Sequence, residues 1–323
     1  MKARRIKFLK HFWRRPPFDL LLYLVSRGLI MFIRMTPHPA PRPLVQGLSS
    51  LWRTLDGRHR KVVEENLRLA GYTLEKSTLV QDIYNHFTAS LFETLTIPRL
   101  LKSGVTKPFV QIENPEILQE VGKKALLVAG HLGNWELAGI AVTHKGIPLT
   151  ALARPIDNPY LNRWINEVRI STGLDLIPKG QAVRKMTQLL RKGGYLIVAV
   201  DQVPNPRSNG IHIPFFGRNA LTVKTPAILS LKYDTPIVPL NIWRDEKGCH
   251  HFKFTEPILP ADFKDEEDPI RAITEAFTNR LEKFIREHPE QWNWLHRRWK
   301  KGGDLPSPEN DPSISETDPA TVS

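Results

Sequence analysis

The sequence predicts an α/β fold in which a mixed, mostly parallel sheet is covered by helices on both faces. Short apolar runs that end in glycine or aspartate, such as "KKALLVAG" and "YLIVAVD", are typical of strands buried on both faces. Segments with apolar residues at helical spacing alternate with these runs, as in proteins whose parallel strands are joined by helices. Nothing between residues 60 and 301 marks a domain boundary, so we expect one large domain there.

The individual elements are predicted from periodicity and from their end signals. "HRKVVEENLRLAG" predicts an amphipathic helix that ends at Gly71, and the helix in "STLVQDIYNHFTASLFETLTIPRLL" has Ser77 as its expected N-cap. Asn158 is expected to cap the helix in "NPYLNRWINEVRISTG". Further helices are expected in "VRKMTQLLRKGG", "KTPAILSLKYD" and "DPIRAITEAFTNRLEKFIREHPE", and further strands in "IPLTALARP", "PIVPLNIWR" and "HHFKFTEPI".

The apolar segment "FDLLLYLVSRGLIMFIRM" predicts an N-terminal membrane-associated helix. Arg27 interrupts it, which argues against a signal peptide. A spanning helix needs about 20 apolar residues, so a helix lying in the membrane interface fits as well as one that crosses, and an ordinary buried helix is the alternative. We therefore divide the chain into a basic N-terminus with this helix (residues 1–43), a main domain (44–301) and a disordered acidic tail (302–323).

The charge balance is strongly basic. The formal net charge is +13, and because the tail holds five acids and no Lys or Arg, residues 1–301 carry +18. Such a chain favours an anionic partner, which is a nucleic acid, an anionic membrane or an acidic protein. The single cysteine, Cys249, excludes an intrachain disulfide and a cysteine-rich zinc site.

The stretch "VAGHLGNWELAG" puts His131 and Glu136 where a predicted strand gives way to a helix. Residues five apart point about 140° away from each other on one helix, so we expect His131 in the turn and Glu136 in the first turn of the helix. Gly133 permits a tight turn, and Asn134 can cap the helix. A carboxylate on one imidazole nitrogen leaves the other free to accept a proton. The pattern predicts His131 as a general base that Glu136 orients, and a structural His–acid pair is the alternative.

The motif and its surroundings resemble a known family. "HLGNWE" resembles the His-x4-Asp/Glu motif of glycerolipid-type acyltransferases, and the form with Asn-Trp-Glu resembles the late acyltransferases of lipid A biosynthesis, the lauroyl and myristoyl transferase type. Further blocks resemble this family in the same order, over about residues 10–301: "ARPIDNPYLNRWINEVRISTGLDLIPKG", "VAVDQ", "IPFFGRNALT", "PIVPLNIWR" and "PEQWNWLHRRWK". The resemblance implies a glycerolipid acyltransferase-like fold.

The resemblance also implies a reaction. It is the transfer of a fatty acyl chain from an acyl thioester, usually on acyl carrier protein, to a hydroxyl group of a lipid A precursor. By the same resemblance, the reaction needs neither a metal nor an organic cofactor. Related mannoside-lipid acyltransferases share the motif, so the acceptor is less firmly implied than the chemistry. No Gly-x-Ser-x-Gly elbow occurs in the sequence, which fits a base that activates a second substrate better than a covalent intermediate.

Further site residues are predicted around this motif. The resemblance favours Arg169 as a third catalytic residue, since a planar guanidinium suits a phosphate or a developing oxyanion. Asp201 ends a predicted strand, where it could hold a basic group, line the acceptor pocket or cap a turn. The aromatic loop that begins at Phe215 could border an acyl channel or belong to the core. We assign substrate binding to Asn134, Trp135, Arg154, Asp201, Phe215, Phe216 and Arg218.

Two other clusters have competing interpretations. "WNWLHRRWKK" joins tryptophan to basic residues, which suits a membrane interface and, as a rival, stacking on nucleic acid bases. His250 and His251 share a predicted strand and face opposite sides, so a metal site that uses both is not expected.

Taken together, these features predict a membrane-associated O-acyltransferase of the lipid A type. We expect acyl carrier protein as donor, a lipid A precursor or related glycolipid as acceptor, anionic inner-membrane lipids as contacts and no nucleic acid. The expected location is the cell inner membrane, with the catalytic domain on the cytoplasmic face and the helix anchoring without crossing. The alternatives are a thioesterase, an acyltransferase for another glycolipid or a lysophospholipid, and a non-enzymatic basic binding protein.

Overall fold

The structure, a computed structural model, describes residues 16–35, 40–102, 109–144, 146–153, 158–171, 173–178, 182–204 and 210–299. Its helices are α1 (Pro16–Met35), α2 (Arg42–Leu55), α3 (Gly57–Leu69), α4 (Leu79–Lys102), α5 (Ile117–Glu120), α6 (Trp135–His144), α7 (Pro159–Ser171), α8 (Ala182–Lys192), α9 (Thr225–Tyr233) and α10 (Pro269–Glu287). Its strands are β1 (Val110–Glu113), β2 (Ala125–Ala129), β3 (Leu149–Ala153), β4 (Asp175–Pro178), β5 (Tyr195–Ala199), β6 (Ile211–Phe215), β7 (Arg218–Thr222), β8 (Ile237–Arg244) and β9 (His250–Phe254).

Seven strands form one sheet in the order β1-β9-β8-β2-β5-β3-β4. Strands β8 and β9 pair antiparallel, and the other neighbours in this sheet pair parallel. Strand β2 lies between β8 and β5, and its five residues are all buried. This position explains why its sequence is a continuous apolar run rather than an alternating one. The predicted mixed, mostly parallel sheet is confirmed.

Helices cover both faces of the sheet, as the side chains of β2 show. Leu126 and Val128 belong to a core cluster that includes residues of α3, α8, α9 and α10. Ala125, Leu127 and Ala129 belong to a second cluster with residues of α5 and α6. Because alternate residues of a strand point to opposite faces, the two clusters fill the two sides of the sheet.

The predicted helices and strands are present, and their end signals work as expected. Gly71 has a φ of +84° after the end of α3. The Ser77 hydroxyl accepts from the Leu79 N–H at 3.2 Å, and the Asn158 side chain accepts from the Tyr160 N–H at 3.0 Å. The sequence patterns missed α2, α5, β1, β4 and the β6–β7 hairpin.

The loop predicted around Phe215 is a hairpin turn in the core. Strands β6 and β7 pair antiparallel, and the turn residues Phe216 and Gly217 have φ values of +54° and +68°, the left-handed backbone that two-residue hairpins require. Phe215 and Phe216 are buried among Trp292 and other tryptophans. The interpretation that this pair borders an acyl channel is therefore wrong, because the two rings fill the core.

The C-terminal tryptophans also lie in the core. Trp292, Trp294 and Trp299 are each at most 5% exposed, so neither a membrane interface nor stacked bases could contact them. Arg298 is buried as well, and its guanidinium donates to the Leu221 carbonyl at 2.6 Å and to the Thr222 hydroxyl at 2.7 Å. The mixture of tryptophan and arginine that suggested an interface is a packed core, in which the β6–β7 hairpin accepts two hydrogen bonds from the buried Arg298 guanidinium.

The first helix packs on the domain. Ile30 and Ile33 of α1 are buried against Phe92 and Leu95 of α4. No helix within the described ranges is long and apolar enough to cross a membrane. The basic residues 1–15 and the acidic tail lie outside the described residues.

Replacing Phe216 tests whether this aromatic cluster is a close-packed core. We expect Phe216→Ala to lower the free energy of unfolding by about 3–5 kcal/mol, the range for truncating a buried aromatic side chain. Val183→Ala, at a position that is 75% exposed, serves as the control and should change it by no more than about 0.5 kcal/mol. Chemical denaturation followed by tryptophan fluorescence measures both. Equal effects of the two changes would contradict a core position for Phe216.

Candidate active site

The site begins where two parallel strands end side by side. In the register of β2 and β5, Ala129 pairs with Ala199, so the residues two positions beyond, His131 and Asp201, come together at the carboxyl edge of the sheet. His131 Nδ1 lies 2.7 Å from Asp201 Oδ1. The His131 backbone N–H donates to Asp201 Oδ2, also at 2.7 Å. The carboxylate therefore fixes both the main chain and the ring of His131.

Asp201 is buried yet ionised. Burial alone would raise the pKa of its carboxyl group, but the positive charge of a protonated His131 and the hydrogen bonds from His131 and Trp292 lower that pKa to about 2. The Trp292 indole N–H donates to Asp201 Oδ2 at 2.8 Å. An ionised carboxylate only accepts hydrogen bonds, so Nδ1 of His131 carries a proton and Nε2 is the nitrogen that can accept one.

The surroundings of His131 raise the pKa of its imidazole, which suits a general base. Its burial would lower the pKa of the imidazole, but Asp201 outweighs that effect and, with a smaller contribution from Glu136, raises the pKa above its ordinary value. The prediction that Glu136 orients His131 is wrong, because Asp201 makes that contact. Asp201, which we assigned to substrate binding with the alternative that it holds a basic group, is the acid that contacts His131.

Glu136 and Arg169 form a second pair beside the first. Glu136 lies in the first turn of α6 and Arg169 in the last turn of α7. Arg169 Nε donates to Glu136 Oε2 at 2.9 Å, and Arg169 Nη2 donates to Glu136 Oε1 at 2.6 Å. This bidentate geometry fixes the plane of the guanidinium. The three residues predicted to be catalytic, His131, Glu136 and Arg169, line one cavity.

This cavity has a volume of about 220 Å³ and a mostly apolar lining. Its apolar side chains come from β3, β5, β8, α6 and the start of β4: Trp135, Ala151, Leu152, Leu174, Leu176, Ile197 and Ile242. The Trp135 ring meets the His131 ring edge to face at 5.2 Å. The arrangement places a general base and an ion pair at an apolar pocket that suits a hydrocarbon chain.

The turn that carries His131 has a backbone only glycine fits. Gly133 has a φ of +56°, and a Cβ there would lie 2.7 Å from the Ile242 carbonyl oxygen. Asn134 then caps α6, since its Oδ1 accepts from the Leu137 N–H at 3.3 Å. Its Nδ2 donates to Glu93 Oε2 at 3.0 Å. Asn134 is therefore buried behind the turn and does not line the cavity, where we had predicted it to bind substrate.

A buried charge network supports the turn from α4 and β8. Arg244 pairs with Glu93, and it donates to His86 Nδ1 at 3.2 Å. Because a guanidinium only donates, Nδ1 is the acceptor and His86 Nε2 donates to the Gly133 carbonyl at 3.3 Å. Burial and the nearby Arg244 lower the pKa of His86 to about 3, so the ring is neutral at physiological pH.

Glu93 stays ionised within that network. Burial would raise the pKa of its carboxyl group, but Arg244 and His250 hold the pKa well below its usual range. Sequence reasoning missed this support. Its signal is the pair His86 and Glu93, seven residues apart and so on one face of α4.

The remaining predicted site residues lie elsewhere. Arg218 donates from Nε to the Leu69 carbonyl at 2.9 Å, which ties the β6–β7 hairpin to the end of α3. Phe215 and Phe216 are in the aromatic core. Arg154 lies outside the described residues.

The described residues include one group whose ligand atoms are close enough for a metal ion, namely Asp245, Cys249 and His251. It lies at the β8–β9 turn, where the Asp245 carboxylate already accepts the N–H groups of Lys247 and Cys249. His250 faces the opposite side and lies 3.3 Å from Glu93. The two adjacent histidines therefore face apart, as predicted. None of Asp245, Cys249 and His251 lines the cavity.

Comparison with known proteins gives the family of the chain. The sequence profile described as bacterial lipid A biosynthesis acyltransferase matches residues 11–301. The chain belongs to this acyltransferase family. Similar proteins include a lipid A biosynthesis acyltransferase from Haemophilus influenzae, 25% identical over 298 residues, which cover 89% of this chain and 93% of the relative. A lipid A biosynthesis lauroyltransferase from Escherichia coli is 26% identical over 281 residues, which cover 84% and 89%.

A second group of relatives acts on a different glycolipid by name. A phosphatidylinositol mannoside acyltransferase from Mycobacterium tuberculosis is 23% identical over 219 residues, 67% of each chain. The match spans between 55% and 67% of the length of the three mycobacterial relatives. Acyl transfer to a lipid is common to these names, whereas the acceptor differs among them.

The pH dependence of the acyltransferase tests the role of Asp201. The base must be neutral, so kcat/KM rises with pH through the pKa of His131, which lies above the ordinary value of about 6.5. Asp201→Asn removes the charge that raises this pKa. We expect the inflection to move to lower pH and the maximal rate to fall at least about a hundredfold. Glu136→Gln is the control and should move the inflection less. An inflection unchanged by Asp201→Asn would contradict the pairing.

A double-mutant cycle tests whether Glu136 and Arg169 act as a unit. We expect Glu136→Gln and Arg169→Gln each to lower kcat/KM by about tenfold or more, and the double variant to be hardly worse than either one. The exposed pair Arg163–Glu167 on the same helix offers the control, because Arg163→Gln should leave kcat/KM unchanged. Effects that multiply in the double variant would show that the two residues act independently.

Proposed function

We propose that this acyltransferase moves a fatty acyl chain from a thioester on acyl carrier protein to a hydroxyl group of a lipid A precursor. The observation that carries the proposal is the His131–Asp201 pair, which opens onto an apolar cavity beside the Glu136–Arg169 pair. None of the described residues that line the cavity is a serine, which suits direct attack by the acceptor hydroxyl. The apolar lining suits the hydrocarbon of the acyl chain.

The chemical step follows from the geometry of His131. Nε2 removes the proton of the acceptor hydroxyl while its oxygen attacks the thioester carbonyl carbon, and Asp201 stabilises the imidazolium that forms. The oxyanion develops near Arg169, whose guanidinium can stabilise it. The carbon–sulfur bond then breaks, and the thiolate leaves without needing strong assistance because thiols are far more acidic than alcohols. The proton on His131 passes to the sulfur, which returns the base to its neutral form.

The choice of donor and acceptor rests on charge and on the relatives. Acyl carrier proteins are acidic, and residues 1–301 carry a net charge of +18, so electrostatic attraction favours their encounter. The two lipid A acyltransferases described above match over 93% and 89% of their length, whereas the mannoside acyltransferase from Mycobacterium tuberculosis matches over 67%. Transfer to a phosphatidylinositol mannoside-type acceptor is the second candidate, because the relatives with that name match between 55% and 67% of this chain.

We also propose that the protein works at the cytoplasmic face of the inner membrane, with α1 as an anchor that does not cross. The packing of Ile30 and Ile33 against α4 supports a helix that lies along the domain. A crossing helix would put seven basic residues at the chain start outside, against the positive-inside tendency.

Product analysis with purified protein tests the activity. We expect mass spectrometry to show an acylated lipid A precursor when acyl carrier protein bears the donor chain, and little product with lysophospholipid, a mannoside lipid or water as acceptor. His131→Ala should lower turnover at least about a hundredfold while the melting temperature stays near that of the unchanged protein. For the donor, kcat/KM should fall steeply as salt rises. Near-normal turnover in His131→Ala would contradict His131 as the general base. A kcat/KM that does not change with salt, together with good use of acyl coenzyme A, would exclude acyl carrier protein as the donor.

A further inference from the structure

Exposed apolar side chains are concentrated on the first two helices. Eight of the fourteen large apolar side chains that are exposed in the described residues belong to α1 and α2. On soluble proteins, large exposed apolar patches mark contact with a partner or a membrane. The two helices account for 34 residues, so the enrichment is strong enough to need an explanation.

Helix α1 is apolar on two opposite sides. Its inner side carries Ile30 and Ile33, which are buried against α4. With 100° per residue, its exposed apolar side chains fall on the far side from these isoleucines: Leu20, Leu21, Leu24, Met31 and Met35. Among the described residues, nothing covers the outer apolar side of α1.

Helix α2 repeats this arrangement on a smaller scale. Its inner side packs on α4 through Val45 and Ser49, and the ring of Trp52 meets Tyr84 edge to face at 5.2 Å. Leu48, Leu51 and Leu55 follow one another at helical spacing outside this contact, and their exposed fractions are 40%, 55% and 77%. Nothing in the fold of α2 requires three exposed leucines in a row.

The two helices are connected through α4. Leu44, in the first turn of α2, packs against the cluster that joins Ile30 and Ile33 of α1 to Phe92 and Leu95 of α4. The same cluster contacts Trp164 of α7, five residues before Arg169, and the ring of Tyr23 in α1 lies 5.5 Å from that of Tyr160 in α7. Both helices therefore contact one packing cluster, which also contacts α7, the helix that carries Arg169.

Charge decides which apolar partner fits. Residues 16–63 contain seven Lys and Arg against two Asp, a net charge of +5, and residues 1–15, which lie outside the described part of the chain, contain seven more basic residues and no acid. A surface that combines exposed leucine and methionine with a high positive charge is complementary to an anionic lipid bilayer. A second copy of the chain would repel this surface rather than cover it.

We infer that α2 is a second lipid-docking helix, which lies in the interface of an anionic bilayer with its leucine row inserted, next to the outer side of α1. The inference rests on the proposed membrane location of the protein and adds a contact that the amino-acid pattern did not reveal. Docking through both helices would hold α7, and with it the cavity, at a fixed orientation to the bilayer that supplies the lipid acceptor.

Vesicle flotation of the purified full chain tests this. The vesicles contain phosphatidylglycerol and phosphatidylethanolamine, and phosphatidylcholine vesicles serve as the uncharged comparison. We expect Leu51→Gln/Leu55→Gln to weaken partitioning to anionic vesicles by about tenfold, as Leu24→Gln/Met31→Gln in α1 does. The matched control, Val183→Gln/Leu259→Gln, also removes two exposed apolar side chains and should bind like the unchanged protein. All three variants should melt at the same temperature as the parent.

A site-specific probe gives an independent readout. The single cysteine is buried, so Leu51→Cys in a Cys249→Ser background accepts one environment-sensitive nitrobenzoxadiazole label. Its emission should shift to shorter wavelength when anionic vesicles are added, while the label on Val183→Cys should not respond. An unshifted label with full binding of the α2 variant would overturn the role of α2 and leave anchoring by α1 intact. Equal loss in the control variant would show that any exposed apolar side chain suffices and would also overturn it.

Failure of the underlying location has a different signature. If the unchanged protein does not float with anionic vesicles, both the membrane location and the role of α2 are wrong. Acyl transfer to a detergent-dispersed acceptor, measured in the same preparations, reports separately on the chemistry. It should be the same in the α2 variant and in the parent.

Discussion

The carboxylate of Asp201 is the group on which the geometry of the site depends. It accepts three hydrogen bonds, from the ring and the main chain of His131 and from the indole of Trp292. Three donors are what allow a carboxylate to remain charged while almost fully buried. Each bond also fixes a different part of the chain, namely the end of β2, the ring of the base and the C-terminal segment. One charge thus determines the tautomer of the base and holds the surrounding main chain in place.

A second buried carboxylate supports the same turn from the opposite side. Glu93 holds Asn134, and its partner Arg244 sets the tautomer of His86, which donates to the Gly133 carbonyl. Buried ion pairs contribute little net stability, because desolvation opposes their attraction. Here the buried ion pair fixes geometry. The turn at Gly133 has a positive φ and the capping residue Asn134 has two partners, so the segment has few alternative conformations. The turn that carries His131 is therefore held between two buried acids, Asp201 and Glu93.

The sequence predicted most helices and strands and the position of the His131 motif, but it did not predict which side chains contact each other across the fold. The buried strands, the long helices and their caps follow from local patterns, and the structure has them. The residue that contacts His131 could not be derived, because the order of strands in a sheet depends on long-range packing. We chose Glu136, which is close in sequence, whereas the contact is made by Asp201, which follows the adjacent strand. Phe216 and Trp292 were misread for a related reason, since exposure of an aromatic residue depends on the whole fold. Helix α2 was missed because glycine, serine and proline dilute its helical pattern.

The contact between Trp292 and Asp201 spans 91 residues, and it bears on when the site comes into being. Strands β2 and β5 can pair once residue 200 has been synthesised, but the turn after β2 also bonds to the segment around Trp292, through the Leu132–Trp292 bridge and the Asn293 N–H to the His131 carbonyl. Non-local contacts of this kind form late in folding. During synthesis on the ribosome, the surroundings of His131 are therefore completed only after nearly the whole domain has emerged. Loss of the last core tryptophans would remove contacts that position His131, although these residues are distant from His131 in the sequence.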